Sequence, residues 1–118
     1  MAKSDINAPQ VATIHHQGPR VAGQRLINAD SCYYPPAVKS ADLLLVDFDS
    51  RLINEAGLYV LEEVKDGAIV WRGCRRFDIH PGKTMVDLSG EGDWTEIDLA
   101  SVGWKVAGKV DQVFKPSI

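Results

Sequence analysis

The side chain with the clearest chemical potential in this chain is that of Ser31, which lies just ahead of the apolar run Ala41-Asp42-Leu43-Leu44-Leu45-Val46-Asp47. The run predicts a buried strand, so a hydroxyl is expected close to where that strand begins. A serine hydroxyl becomes a nucleophile only when a neighbouring base takes its proton. The structural alternative is a turn residue that bonds its own backbone after Asp30, as serine does in many Asp-Ser pairs.

Other reactive side chains lack the partners that chemistry would need. Cys32 has no histidine at the spacing of a cysteine nucleophile, so we expect it to be a small buried residue without a catalytic role. His15 and His16 are adjacent, and adjacent side chains point apart in extended chain. They form no ligand set with His80 at metal spacing. The sequence therefore predicts neither a metal site nor a cofactor.

Three arginines lie in one predicted strand and could grip a phosphate or a carboxylate. Alternation along a strand places Arg72 and Arg76 on one face and Arg75 on the other. Salt bridges to Glu62 or Glu63 across a hairpin are therefore the predicted role of this cluster.

Composition indicates one domain. The chain has 118 residues, of which 45% are hydrophobic, and a chain of this size buries roughly two-thirds of its unfolded surface. A net charge of −3 gives no basic footprint for nucleic acid. Two cysteines make no disulfide framework, and the N-terminal residues read neither as a signal peptide nor as a membrane span. We expect a cytoplasmic, reduced protein that binds neither nucleic acid nor membranes directly.

The chain divides by pattern into residues 1–22, an extended N-terminal arm, and residues 23–118, a β domain. The arm carries proline, glycine and isolated apolar residues. After it, short runs rich in β-branched and aromatic residues recur between Gly, Pro, Asn and Asp. These runs predict six strands and no long helix: Gln24 to Asn28, Leu43 to Phe48, Gly57 to Val64, Ala68 to Phe77, Lys83 to Leu88, and Trp104 to Phe114.

Turn signals fix the connections between these strands. Lys65-Asp66-Gly67 predicts a tight hairpin, because Asp-Gly supplies the positive φ angles that such a turn requires. His80-Pro81-Gly82 predicts another turn, and residues 87–93 form a polar, glycine-containing loop. Gly108, in the middle of the last strand, predicts a bulge or a close backbone approach. The three tryptophans are expected to be core or interface anchors: Trp71, Trp94 and Trp104.

Taken in order, five motifs resemble the LexA-like domain of the S24 peptidase family, which includes the C-terminal domains of SOS and phage repressors and the UmuD-like proteins. Ala29-Asp30-Ser31-Cys32 is similar to the family's Gly-Asp-Ser-Met. Ala41-Asp42-Leu43 and the strand that follows are similar to the family's Gly-Asp-Leu and its apolar strand. Gly57-Leu58-Tyr59-Val60-Leu61 resembles Gly-x-Tyr-Val-Leu. Cys74-Arg75-Arg76-Phe77 resembles Val-Lys-Arg-Leu, and Val106-Ala107-Gly108-Lys109-Val110 resembles Ile-Ile-Gly-Arg-Val. The likeness extends over roughly residues 24–115.

The resemblance implies a mostly β fold of twisted, partly barrel-like antiparallel sheets with little or no helix. It also implies a serine and lysine pair, in which Ser31 is the nucleophile and Arg75 stands where the lysine base should be. A guanidinium stays protonated in proteins and cannot act as that base. Lys39 and Lys65 would each have to fold back from exposed chain to replace it.

The function implied is that of a stand-alone, catalytically inactive LexA-like module in phage, prophage or SOS-type regulation. The family's habit of self-association implies a homodimer, and a repressor or polymerase is the protein partner that such a module would engage. The alternative is an active serine peptidase in which Ser31 works with a non-standard base.

Overall fold

A computed structural model of the protein describes residues 22–116. In these residues, apolar runs that alternate with polar residues, or that are buried on both faces, form a sheet. The predicted arm falls almost wholly outside these described residues. Seven strands and one short helix follow in order: β1 (Gln24–Asn28), β2 (Leu43–Asp47), β3 (Gly57–Lys65), β4 (Ala68–His80), β5 (Lys83–Asp87), β6 (Trp94–Glu96), α1 (Leu99–Val102) and β7 (Trp104–Phe114).

The strands form one antiparallel sheet in the order β1-β2-β7-β3-β4-β5-β6. The mostly β prediction is confirmed, and the sheet stays open. All six predicted strands are present, β1 and β7 with the predicted bounds. No helix within residues 22–116 has the length and apolar character needed to cross a bilayer.

Both predicted tight turns are confirmed. Asp66 has a φ of 52° and Gly67 a φ of 78°, and Lys65 pairs with Ala68 across the β3–β4 hairpin. Pro81 and Gly82 connect β4 to β5 through a second two-residue turn, in which Gly82 has a φ of 73° and His80 pairs with Lys83. These turns set the register of the three strands that they join.

Two short elements were not predicted from the sequence. Strand β6 has three residues, all exposed, and therefore shows no apolar alternation. Helix α1 has four residues, with Asp98 accepting a hydrogen bond from the Ala100 amide at its N-cap and Gly103 in the left-handed conformation at its C-cap. Elements this short lack the periodicity that identifies a helix or a strand in a sequence.

The core has two parts, one on each face of β3. Leu58 and Val60 belong to the cluster that covers one face, and Tyr59 and Leu61 to the cluster on the other. The first cluster, which we call the loop-side core, combines residues of the segment after β1 with residues of β2, β3, β4 and β7: Ala29, Cys32, Tyr34, Val38, Leu44, Val46, Leu58, Val60, Cys74 and Val110. The second contains Tyr59, Leu61, Phe77, Val86 and Val106.

Partly buried tryptophans flank the second cluster. The rings of Trp71 and Trp104 are stacked, with centroids 5.5 Å apart and planes 19° from parallel. The prediction of core anchors is confirmed for these two. Trp94 lies on the edge strand β6 with 40% of its surface exposed, so it joins neither cluster.

Gly108 fulfils both predictions made for it. The register of β7 against β3 slips at this point, since Val60 pairs with Gly108 but Leu61 pairs with Val106. A Cβ atom at Gly108 would lie 2.7 Å from the carbonyl oxygen of Asp47 and 2.7 Å from Val46 Cγ1. Strand β2 therefore approaches β7 closely enough to require glycine here.

The segment between β1 and β2 is held down by the carboxylate of Asp42, which is 2% exposed. Its Oδ2 accepts a hydrogen bond of 2.8 Å from the Lys39 amide and an ion pair from Lys115, which follows β7. Lys115 Nζ also donates to the carbonyl of Ala37 at 2.9 Å. One carboxylate thus joins the segment to the end of the chain's last strand.

We predict that Asp42→Asn lowers the midpoint of thermal unfolding by several degrees at neutral pH. The hydrogen bond from Lys115, with that from the Lys39 amide, lowers the pKa of Asp42 below the usual range of an aspartate carboxyl group. A depressed pKa gives stability that is present above the unfolded pKa and is lost as pH falls through the folded one. The difference between wild type and variant should therefore shrink below about pH 4, as followed by circular dichroism. Asp30→Asn, at an exposed carboxylate, is the control and should match wild type; an equal effect of both variants would contradict this role.

We also predict that Gly108→Ala destabilises the protein by about 1–3 kcal/mol, because the new methyl group meets backbone that cannot move aside. Urea unfolding measures the change. Lys105→Ala, on the exposed side of the same strand, should remain within about 0.5 kcal/mol of wild type. An unchanged Gly108→Ala variant would show that β2 and β7 are farther apart than described.

Candidate functional site

Ser31 occupies a tight turn immediately after β1. The Cys32 amide donates to the Ala29 carbonyl at 2.9 Å, which closes a four-residue turn with Asp30 and Ser31 at its corner. The Ala29 amide donates in turn to the Asp42 carbonyl at 3.1 Å, so the turn is anchored to the start of β2. Ser31 is exposed, whereas its neighbours Ala29 and Cys32 are completely buried. Ser31 therefore lies in a turn, which is the placement named in the structural alternative to a nucleophile.

The thiol of Cys32 points into the loop-side core and meets the thiol of Cys74 from β4. The hydrogen bond from Cys74 lowers the pKa of Cys32, and burial opposes this effect by raising it. The hydrogen bond with the Ser31 hydroxyl and the positive charge of Arg72 also lower the pKa of Cys32. The same contact, with burial, raises the pKa of Cys74. Both cysteines are free thiols and fully buried, as predicted for Cys32.

Arg75 is the next residue along β4, and its guanidinium is held in a fixed position. Nη1 donates to the carbonyl of Cys74 at 2.6 Å. The guanidinium carbon lies 5.3 Å from the ring centroid of Tyr34 and 5.4 Å from that of Trp71, which are distances typical of cation–π contacts. Nε is buried without a hydrogen-bond partner among the described residues. Two aromatic faces and one backbone carbonyl are therefore the contacts that hold this cation in the described part of the chain.

Tyr34 connects this region to the loop between β5 and β6. Its hydroxyl donates to the carbonyl of Asp87, and burial is the main cause that raises its pKa. The carboxylate of Asp87 is itself buried and accepts hydrogen bonds from the amides of Gly90, Gly92 and Asp93, at 3.2, 2.9 and 2.8 Å. Burial raises the pKa of Asp87, but the amide hydrogen bonds outweigh it and the net shift is downward. The loop of residues 87–93 thus forms a rigid support beneath Tyr34.

The structure brings Ser31 and Arg75 into one region without a direct bond. Each adjoins one member of the contacting thiol pair, Ser31 in the turn and Arg75 on β4. Within residues 22–116, no hydrogen bond or ion pair connects the Ser31 hydroxyl to Arg75 or to a lysine. Ser31 is the nucleophile that the resemblance implies, but none of these contacts supplies it with a base.

Four lysines that come into question as a base are placed elsewhere. Lys115 pairs with Asp42, and Lys109 Nζ pairs with Glu55 at 2.9 Å. Lys39 is exposed and uses its backbone amide to bond Asp42. Lys65 ends β3 at the hairpin, six residues up that strand from Tyr59, the residue that pairs with Arg75.

The remaining polar side chains singled out from the sequence have structural roles. Arg72 pairs with Glu62 across the hairpin at 2.7 Å, as predicted. His80 lies 3.2 Å from Asp78 on the surface. The described residues contain no group of three His, Cys, Asp or Glu side chains that could hold a metal ion, and His15 and His16 lie outside them.

Sequence reasoning missed the roles of three residues of this region: Asp87, Tyr34 and Cys74. The glycine-rich loop after Asp87 is a signal of a carboxylate that caps backbone amides, and it could have identified that residue. The stacking of Arg75 on Tyr34 and the contact between Cys32 and Cys74 had no such signal, because each joins segments that are about 40 positions apart. Only the fold brings them together.

The chemistry available at this site follows from these contacts. An exposed hydroxyl in a turn can attack a carbonyl only after losing its proton to a base. A guanidinium such as that of Arg75 stays protonated in proteins and cannot accept that proton. What the arrangement offers is a rigid turn, an immobilised guanidinium and a pair of buried thiols.

No protein-family model matches the sequence, and neither the curated proteins nor the solved structures that were compared with the chain yield a match.

Proposed function

We propose that this chain is a stand-alone, non-catalytic LexA-like domain that associates with a second copy of itself and acts as a protein-interaction module. The resemblance of the five sequence motifs suggests phage, prophage or SOS-type regulation as its setting. A repressor or a polymerase is the class of partner that such a module would engage in the cytoplasm.

The observation that carries the absence of catalysis is the position of Arg75. This residue stands where the resemblance requires the lysine base, and a guanidinium keeps its proton at any pH at which the protein is folded. Its contacts with the Cys74 carbonyl and with the rings of Tyr34 and Trp71 give it a structural role instead. Arginine is suited to that role, because its planar cation stacks on aromatic rings better than an ammonium group does.

Self-association is supported by an open edge of the sheet. Strand β5 pairs with β4 only from Arg76 onward, so residues 68–75 have β3 as their one strand neighbour among the described residues. Ile69 and Val70 on this edge are 52% and 55% exposed. An exposed apolar edge offers unpaired backbone groups to another strand, and a second copy can pair with it by two-fold symmetry.

We predict that an active-site fluorophosphonate does not label the wild-type protein, at neutral or at alkaline pH. The reagent requires an activated serine hydroxyl, and the site supplies no base to Ser31. Intact-mass spectrometry of wild type and Ser31→Ala measures the adduct. An adduct on wild type that Ser31→Ala abolishes would contradict this proposal and favour an active peptidase with a non-standard base.

The matched variant for this experiment is Arg75→Lys, which restores the lysine that the resemblance implies. A lysine between two aromatic rings would be partly desolvated, and desolvation lowers the pKa of an amine toward the range of a general base. Labelling that appears in Arg75→Lys, and disappears when Ser31→Ala is added to it, would identify position 75 as the place of a former base. Circular dichroism of each variant ensures that the comparison concerns folded protein.

We further predict a dimer by light scattering at tens of micromolar protein, with a mass twice the 12.9 kDa of the chain. Val70→Lys should yield the monomer, because a charge on the edge of β4 opposes strand pairing. Leu43→Lys introduces a lysine at a residue that is 40% exposed on β2, which β7 and β3 separate from β4 in the sheet, and should remain dimeric. A monomeric wild type would overturn the self-association proposal.

A further inference from the structure

The buried thiol pair beneath the Ser31 turn is a feature that the proposed function does not use. Cys32 and Cys74 are both completely inaccessible to solvent and belong to the same core cluster. Cys32 comes from the turn after β1, whereas Cys74 lies in β4, where it pairs with Val60. The fold thus brings together two thiols that are 42 positions apart in the sequence.

The two thiols touch each other. Their side chains are within hydrogen-bond contact, and each is among the chief influences on the other's ionisation. A disulfide forms only where the fold holds two cysteines side by side, and the shared core cluster of Cys32 and Cys74 meets that requirement. Their neighbours in the cluster are apolar apart from the hydroxyl of Tyr34, and the Ser31 hydroxyl at the turn also contacts Cys32.

We propose that Cys32 and Cys74 are a redox modification site, at which a small-molecule disulfide such as oxidised glutathione converts the thiol pair into a reversible intramolecular disulfide. The bond would tie the turn that carries Ser31 covalently to the strand that carries Arg75. This inference does not depend on the proposed function, since it concerns only the two sulfur atoms and the segments that bear them.

Access to the pair is through the turn. Ser31 and Tyr33, the chain neighbours of Cys32, are both exposed, with Tyr33 at 59%, so the turn that holds the buried thiol is itself at the surface. Strand β4, by contrast, is fixed by its pairing with β3. Local opening of the turn therefore exposes Cys32 first, and such openings cost less free energy than global unfolding.

The chemistry balances as two thiol–disulfide exchanges. The Cys32 thiolate, whose proton passes to solvent, attacks one sulfur of oxidised glutathione and breaks its S–S bond, which leaves a mixed disulfide and releases one glutathione thiolate. The Cys74 thiol then loses its proton, attacks the Cys32 sulfur and releases the second glutathione. Two protein thiols are oxidised and one glutathione disulfide is reduced to two glutathione thiols. The contact of Cys32 with Cys74 and the charge of Arg72 favour Cys32 as the first thiolate.

The test equilibrates the full chain in glutathione buffers of increasing oxidised fraction, once without denaturant and once in unfolding concentrations of urea. After acid quenching and alkylation, intact mass distinguishes reduced, glutathionylated and disulfide-bonded protein. We expect the disulfide-bonded chain to be about 2 Da lighter than the reduced, unalkylated chain and to carry no alkyl group. The concentration of oxidised glutathione at which half of the protein is disulfide-bonded should be at least tenfold lower without urea than with it. The ratio of the two midpoints measures how much the folded structure favours the disulfide by holding the two thiols together.

Two controls make the outcome decisive. Cys32→Ser and Cys74→Ser should each give at most a mixed disulfide with glutathione, and neither should show the rise in thermal midpoint that we expect for oxidised wild type and that dithiothreitol should reverse. To exclude slow access as a cause of failure, wild type is also refolded from urea directly in the oxidising buffer. Failure to form the intramolecular bond there, a midpoint that urea does not shift, or a disulfide between two chains would each overturn the proposal.

Discussion

Strand β3 is buried on both of its faces, and the rest of the structure depends on this double burial. Leu58 and Val60 lie in the loop-side core, and Tyr59 and Leu61 lie in the cluster on the opposite face. An open antiparallel sheet usually needs only one covered face. Here the second face is covered by the segment between β1 and β2, which is why that segment is ordered and why its turn lies against β4.

The requirement to cover β3 explains the character of the candidate site. The segment after β1 places the side chains of Cys32 and Tyr34 in the core, and Tyr33 between them is exposed. The two buried side chains therefore fix the position of this part of the chain. Tyr34 then provides an aromatic face for Arg75 and is itself fixed from below by the Asp87 carbonyl. Packing, together with the hydrogen bond from the Ala29 amide to the Asp42 carbonyl, therefore accounts for the placement of the turn.

Much of the fold could be predicted from local patterns. The Asp66-Gly67 hairpin, the Pro81-Gly82 turn and the six longer strands follow from turn chemistry and from β-branched, apolar runs, which act over a few residues. Strand β6 and helix α1 could not be predicted in this way, since three or four residues show no periodicity. The salt bridge from Arg72 to Glu62 was predictable because the hairpin fixes its register.

For the candidate site, the sequence by itself determined the residue types: a serine after Asp30, an arginine rather than a lysine at position 75, and two cysteines. It therefore determined that the residue at position 75 cannot be a general base, because the chemistry of a guanidinium does not depend on its surroundings. Only the tertiary structure decided that the arginine stacks on Tyr34 and that Cys32 meets Cys74. Such contacts join segments far apart in the chain, and their partners are chosen by how the two faces of one sheet are covered.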